Sequence, residues 1–235
     1  MDLNKRHVAD LLMVSEQAID HFVKDNGMPH YFLGDDLRFN RGEVERWLMQ
    51  FLVEDREGLF PFVESPVEKD PWQKFCLYRA LHKGFVWANY GASSKRELIF
   101  SVLSKAAPYL SFDGDFVRDL FWEREILMPT SLGNGIAVPH ARDFFLNGLF
   151  DIVIIVYPDQ LIDWGGTDHS FIHSLFFLFA CNDERHLQLM AKVAHFVNQR
   201  ECVDLLKHRA MKSELLEFVK KWESSTAKDS LCTCQ

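Results

Sequence analysis

Apolar residues along this chain fall at helical spacing in some stretches and in short unbroken runs in others, and the changes of pattern mark its elements. Val8, Leu11 and Leu12 share one face of a short helix that Asn4 can cap. Val14-Ser15 turns the chain, and Ser15 caps a second helix running through Lys24 with Ile19, Phe22 and Val23 inward. Asn26-Gly27 stops it where a C-terminal glycine belongs. Tyr31-Phe32-Leu33, a Gly34-Asp35-Asp36 turn and Leu37-Arg38-Phe39 predict a hairpin. A third helix follows from Arg41, with Val44, Trp47, Leu48 and Phe51 at helical spacing. The pattern then lapses. Glu54 to Trp72 carries Pro61, Pro66 and Pro71 among mixed charges, which disfavours continuous secondary structure. The expected organisation is a first domain over 1–60, a linker over 61–72 and a second domain over 73–223.

The second domain alternates strands with helices. Gln73–Lys83 reads as a short helix and Phe85–Tyr90 as a strand. Ser93 opens a helix in which Glu97 stands in capping-box relation to Ser94, and Leu98, Val102, Leu103 and Ala106 form the inner face. Asp113 caps the next helix, which carries Phe116, Leu120 and Phe121. Ile136-Ala137-Val138 is a short buried strand, and Val153-Ile154-Ile155 is the middle of another. A connection through Asp163-Trp164-Gly165-Gly166, with Trp164 as packing, leads to a strand from His173 to Cys181. Asn182 or Asp183 caps a helix with Leu187, Met190, Ala191 and Ala194 on its buried face, and His195 is expected on its surface. A further helix covers Glu201–Arg209, Ser213 caps the last, and residues from Ser224 read as a disordered tail over 224–235. The fold class is α/β with a mostly buried sheet.

Composition narrows the function classes. Hydrophobic residues make up 48% of the 235, ordinary for a globular protein, and the 21 phenylalanines read as core volume. A net charge of -8 argues against nucleic-acid affinity spread over the whole chain, because phosphate neutralisation needs a basic face. The longest apolar runs, Asp151–Tyr157 and Leu175–Cys181, fall far short of the roughly 20 residues that span a bilayer, so no membrane insertion is expected. The five cysteines are odd in number and irregularly spaced, and no secretory signal is seen, so free thiols and a cytoplasmic location are expected. Cys232 and Cys234 have no second ligand pair, and neither a metal site nor a cofactor is expected.

The chemistry concentrates between Glu123 and Arg142. A helical pattern ends at Glu123-Arg124-Glu125, the chain turns at Pro129-Thr130, and a glycine pair at Gly133 and Gly135 leads through Ile136-Ala137-Val138 into Pro139-His140. Pro139 pushes Val138 to an extended conformation, so His140 stands on a stiff platform at the mouth of a strand. The whole string resembles the phosphohistidine signature of enzyme IIA of the bacterial phosphotransferase system, fructose/mannitol/nitrogen type. That resemblance implies a mixed sheet flanked by helices and a phosphocarrier role. His140 would be the phosphorylated residue, with a histidine-containing phosphocarrier protein as donor and enzyme IIB or a regulated protein as acceptor. It implies Arg124, sixteen residues earlier, as the active-site arginine, since a guanidinium offers a planar fork to phosphoryl oxygens. It also implies His186, at the start of the helix after Asn182-Asp183, as a second active-site histidine where helix amides favour anions. Asn134 and Gly135 are expected to offer backbone amides to the phosphoryl group. His169, His173 and His195 are left as structural.

The first domain resembles the winged helix-turn-helix of the excisionase and MerR group, through Val8-Ala9-Asp10-Leu11-Leu12, Val14-Ser15, Pro29, Phe39-Asn40-Arg41 and Glu43-Val44-Glu45-Arg46-Trp47-Leu48. Such modules put their second helix in the major groove and the wing on the backbone. The resemblance implies Gln17, His21, Lys24 and Arg38 as DNA contacts, made by a homodimer. Against it, residues 1–60 hold seven Lys or Arg and twelve Asp or Glu, and the wing tip is Asp35-Asp36. A module kept for protein contacts is the competing expectation. Two readings of the whole chain therefore compete with a regulatory phosphocarrier: a DNA-binding regulator with a non-transferring sensor, and a sugar-uptake IIA component.

Overall fold

A computed structural model of the chain describes residues 2–54, 75–141, 150–165 and 171–226. The linker expected at 61–72 lies outside these residues, as do His169, Cys232 and Cys234. The described chain forms two compact units, one over Met1–Lys74 with Lys221–Gln235 and one over Phe75–Lys220.

The first unit runs β1 (Asp2–Asn4), α1 (Lys5–Leu12), α2 (Glu16–Asp25), β2 (Tyr31–Leu33), β3 (Asp36–Asn40) and α3 (Arg41–Glu54). Its helices begin at local caps. The Asn4 side chain accepts from the His7 amide at 2.8 Å and the Ser15 hydroxyl accepts from the Ala18 amide at 3.1 Å. The Asn40 side chain accepts from the amides of Gly42 and Glu43 at the head of α3. The inward residues Val8, Leu12, Ile19, Phe22, Phe39, Val44 and Leu48 are buried. Trp47 donates its indole N–H to the Asn26 carbonyl at 2.9 Å and packs against Phe22 and Phe51. One strand was not expected from the sequence. β1 pairs with β3 antiparallel, Leu3 opposite Phe39, and makes a three-stranded sheet in the order β1-β3-β2. Its three residues carry no period of their own and become a strand through this pairing.

The second unit contains α4 (Cys76–Lys83), β4 (Val86–Tyr90), α5 (Lys95–Leu110), α6 (Gly114–Leu127), β5 (Ser131–Gly133), β6 (Ile136–Ala137), β7 (Ile152–Pro158), β8 (Ile162–Asp163), β9 (Phe171–Ile172), β10 (Ser174–Phe179), α7 (Asp183–Val197), α8 (Arg200–Lys207) and α9 (Lys212–Thr226) up to Lys220, the rest of α9 being counted with the first unit. Five strands form a mixed sheet in the order β4-β7-β10-β6-β5. β4 and β7 are parallel, β7 and β10 antiparallel, β10 and β6 parallel, β6 and β5 antiparallel. β7 and β10 are buried on both faces, which explains their unbroken apolar runs. Ile154, Val156, Leu175, Phe177 and Phe179 pack with Leu98, Val102 and Leu103 of α5 and Val117 and Phe121 of α6. On the other face α4 packs on β7 and α7 on β10. The C-terminal end of α4 approaches β7 so closely that a Cβ on Gly84 would land on the Val153 carbonyl, which restricts this position to glycine.

Several local expectations are corrected. The connection through Asp163 is a two-stranded ribbon, β8 paired with β9. The last helix starts at Lys212 rather than after a Ser213 cap, and the Met211 amide donates to the Glu214 carboxylate instead. That helix continues through Thr226, so 224–226 are helical where a disordered tail was expected. Phe116 is 57% exposed, and Val117 takes the inward position on α6 with Phe121. His195 is buried: apolar residues occur nearly all round the second half of α7, from Leu189 to Val197, so that helix has no single solvent face there.

Candidate active site

The parallel pairing of β6 with β10 places the site. Ile136 lies opposite Ser174, Ala137 opposite Leu175, and the same offset carries on to a bridge between His140 and Leu178. Pro139 contributes its carbonyl to the Leu178 amide at 3.0 Å, so the strand continues through the proline with its acceptor in use. His140 therefore stands at the C-terminal end of β6, beside the C-terminal end of β10 and the start of α7 that follows it.

The imidazole of His140 is held at both nitrogens. Its Nδ1 lies 2.7 Å from the Val138 carbonyl oxygen, and its Nε2 receives a hydrogen bond from Arg124 Nε at 3.0 Å. A carbonyl can only accept and a guanidinium N–H can only donate. The ring is thus the neutral tautomer protonated on Nδ1, and its lone pair is on Nε2 facing Arg124. Arg124 sits in the last turn of α6, where the helix dipole favours a cation, and its Nη1 donates to the Met128 carbonyl at 2.9 Å. The His186 ring centroid is 5.1 Å from that of His140. α7 begins at Asn182, whose side chain accepts from the Arg185 amide at 2.9 Å, and His186 follows in the first turn. Arg124, His140 and His186 are therefore brought together.

Asn134 and Gly135 are not. They form the turn between β5 and β6, at the opposite end of β6, with positive φ at Gly133, Asn134 and Gly135. The pairing offset puts four residue steps of β10, about 13 Å at strand rise, between Ile136 and His140, and the turn lies beyond Ile136. Their polar groups serve the turn: the Gly135 carbonyl accepts from the His173 and Ser174 amides, and the Asn134 carbonyl accepts from His173 Nε2 at 2.9 Å. The amides that the glycine string promised for a phosphoryl group lie too far away to reach it, because a strand's length separates the two ends of the string. His173 belongs to this turn, and burial lowers its pKa from 6.5.

Two supporting ion pairs have no counterpart in the sequence reading. Glu125, next to Arg124 on α6, accepts from the Thr130 amide at 3.1 Å and the Thr130 hydroxyl at 2.5 Å and pairs with Lys95 Nζ at 2.6 Å. Asp151, just before β7, accepts from the Cys181 amide at 3.0 Å and pairs with Arg185 at 2.8 Å, which fixes the entry to α7 and with it His186. The E-R-E and P-T motifs marked Glu125 and Thr130, but neither Lys95 nor Asp151 is close to them in sequence.

In the first unit, Gln17 and Lys24 are exposed on α2. His21 Nδ1 lies 2.8 Å from Asp25, and Arg38 pairs with Asp36 at 2.9 Å. Lys5 pairs with Asp20 at 3.0 Å. Three basic side chains of this unit thus face carboxylates of their own unit.

Comparison with known proteins agrees with the geometry of the second unit. Residues 79–222 match the family model described as the phosphoenolpyruvate-dependent sugar phosphotransferase system, EIIA 2. A mannitol-specific phosphotransferase enzyme IIA component of Geobacillus stearothermophilus is 32% identical over 109 residues, covering 45% of this chain and 71% of that protein. A nitrogen regulatory protein of Pseudomonas aeruginosa is 29% identical over 134 residues, covering 55% of this chain and 84% of that protein. The chain belongs to this EIIA family. Among solved structures, nitrogen regulatory protein IIA-Ntr from Neisseria meningitidis aligns with a TM-score of 0.52 at 19% identity, over 58% of this chain and 93% of that one, a likeness of fold. No helix among the described residues is long and apolar enough to cross a membrane.

Proposed function

We propose that the chain is a regulatory phosphocarrier that accepts a phosphoryl group on His140 Nε2 from a phosphohistidine of a donor protein. The observation that carries this reading is the two-sided hold on the His140 ring, a carbonyl at Nδ1 and the Arg124 guanidinium at Nε2. The Nε2 lone pair attacks phosphorus, a P–N bond forms, and the electron pair of the breaking bond returns to the donor histidine nitrogen. The Nδ1 proton stays on His140 against the Val138 carbonyl and carries part of the positive charge of the phosphorylated ring. Arg124, already at Nε2, turns from the nitrogen it can no longer serve to the phosphoryl oxygens, where charge develops. His186, at the positive end of α7, stands beside the same group. This complete set favours transfer over a sensor that does not turn over phosphate.

A second reading, a sugar-uptake component that passes the group to enzyme IIB, is favoured by the likeness to the mannitol-specific relative. The two share the first step and differ in the acceptor. We assign the output role to the first unit, read as a winged helix-turn-helix with α2 as its second helix and β2–β3 as its wing. Gln17, His21, Lys24 and Arg38 are its proposed contacts to DNA, made as a homodimer. With Arg38 and His21 facing carboxylates, such binding is weak and steeply salt-dependent.

The test is incubation of the full chain with enzyme I, phosphocarrier protein and labelled phosphoenolpyruvate. The label should be acid-labile and base-stable, His140→Ala should abolish it, and His186→Ala should slow but not abolish it. Full labelling of His140→Ala would overturn the assignment. Salt-titrated binding of the full chain to random duplexes, in both phosphorylation states, tests the output, and no salt-sensitive shift in either state discards DNA.

A further inference from the structure

We propose that Lys95, Glu125 and Thr130 form a clamp that sets the tautomer of His140 and the position of Arg124, so that three residues that never touch the phosphoryl group govern its transfer. This inference rests on the phosphocarrier reading. Its starting point is an unbroken series of hydrogen bonds. Lys95 Nζ meets Glu125 Oε1 at 2.6 Å and donates to the Trp164 carbonyl at 2.7 Å. Glu125 accepts both the amide and the hydroxyl of Thr130, one on each carboxylate oxygen. The Thr130 hydroxyl also accepts from the Trp164 indole N–H at 3.3 Å, and the Thr130 carbonyl accepts from the Val138 amide at 2.9 Å. The Val138 carbonyl then accepts from His140 Nδ1.

Each link leaves the next little freedom. Glu125 is 1% exposed, so its carboxylate relies on Lys95 and the two Thr130 donors in place of water. A carboxylate satisfied from three directions holds Thr130 against the end of α6. Thr130 is itself fully buried, and its carbonyl fixes the height of Val138. Val138 precedes Pro139, whose ring confines the Val138 backbone to the extended region, so its carbonyl presents a fixed acceptor to His140 Nδ1. The same carboxylate anchors the last turn of α6, where Arg124 is the neighbouring residue. One clamp therefore fixes both partners of the Arg124–His140 contact. The cation–π approach of Lys95 to the Trp164 ring, 5.1 Å to the centroid, keeps the ammonium from swinging out to water.

These are positioning residues, and two readouts separate that role from a purely structural one. The first needs no phosphorylation: the nitrogen-15 shifts of the His140 imidazole in the full-length unphosphorylated protein. The intact protein should show the Nδ1–H form, and Thr130→Val, which keeps shape and loses the hydroxyl, should move it toward a mixture with Nε2–H. Thr130→Ser should restore the Nδ1–H form. The second is the kinetics of phosphorylation by the donor phosphocarrier. Thr130→Val and Glu125→Gln should lower kcat about tenfold to a hundredfold with KM for the donor unchanged, since misplacement of reacting groups slows chemistry and the clamp does not touch the donor. Lys95→Arg should retain most of kcat and Lys95→Met should not. Wild-type tautomer and kcat in Thr130→Val and Glu125→Gln, with only the melting temperature lowered, would overturn the clamp. If His140 is never labelled, the phosphocarrier reading fails, while the tautomer measurement still decides whether Lys95, Glu125 and Thr130 set the ring.

Discussion

Replacing Gly135 by alanine separates the two ends of the glycine-to-histidine string. Gly135 has φ +74, where an L residue is strained by about 1–2 kcal/mol. The new Cβ would also stand 2.8 Å from His173 Nε2, closer still to Cδ2, and 3.2 Å from the Phe171 carbonyl. The His173 ring must therefore give way, and its bond to the Asn134 carbonyl is lost at a cost of about 1 kcal/mol. Together these give a destabilisation of about 2–3 kcal/mol, or roughly 5–10 °C in melting temperature for a unit of this size. His140, the proposed phosphoryl acceptor, lies at least about 13 Å away along β10, so the folded variant should accept phosphate within about twofold of the wild-type rate. Urea unfolding gives the first quantity, and rapid-quench labelling at a temperature where the variant is fully folded gives the second. If the turn amides cradle the phosphoryl group after all, Gly135→Ala will lose most of its transfer rate while its stability barely changes. That result would refute the placement argued from strand register.

Arg124→Lys keeps the charge but loses the planar fork whose Nε and Nη1 reach His140 Nε2 and the Met128 carbonyl separately, so labelling by the donor should slow by about 10²–10³, and an unchanged rate would remove Arg124 from the site. Stability should also respond to His173: burial holds its pKa below 6.5 in the fold, so the unfolded chain binds the proton more readily. Its contribution is complete above that value and is lost as pH falls through the lower folded pKa, so the unfolding free energy should decline on acidification below about 6.5, and His173→Gln should flatten the decline. An unchanged slope in the variant would mean the proton is taken up elsewhere.

What could be read along the chain was whatever a few neighbouring residues decide. Asn4, Ser15, Ser94, Asp113 and Asn182 each cap a helix through a side chain that reaches an amide two or three residues on, and such a bond is written in local sequence. β7 and β10 showed themselves as unbroken apolar runs because both faces of each are covered. β1 left no such trace, because three residues have no period and acquire strand geometry only from β3, some 36 residues later. Lys95 is the first residue of α5, a place where a lysine carries no local signal of a role. Its ammonium reaches Trp164, 69 residues away, and Glu125 on another helix, and no local signal specifies either meeting. The site divides along the same line. Resemblance named Arg124, His140 and His186, and the fold brought them together. The glycine string misled for the opposite reason. Neighbours in sequence suggest neighbours in space, but β6 runs extended, so Gly135 and His140 point their chemistry at opposite ends of the sheet. Arg124 and His140 can thus be read from one short string. Lys95, Asp151 and Trp164, which hold that string in place, are set by the order and register of the strands, and a resemblance to the string alone leaves them out.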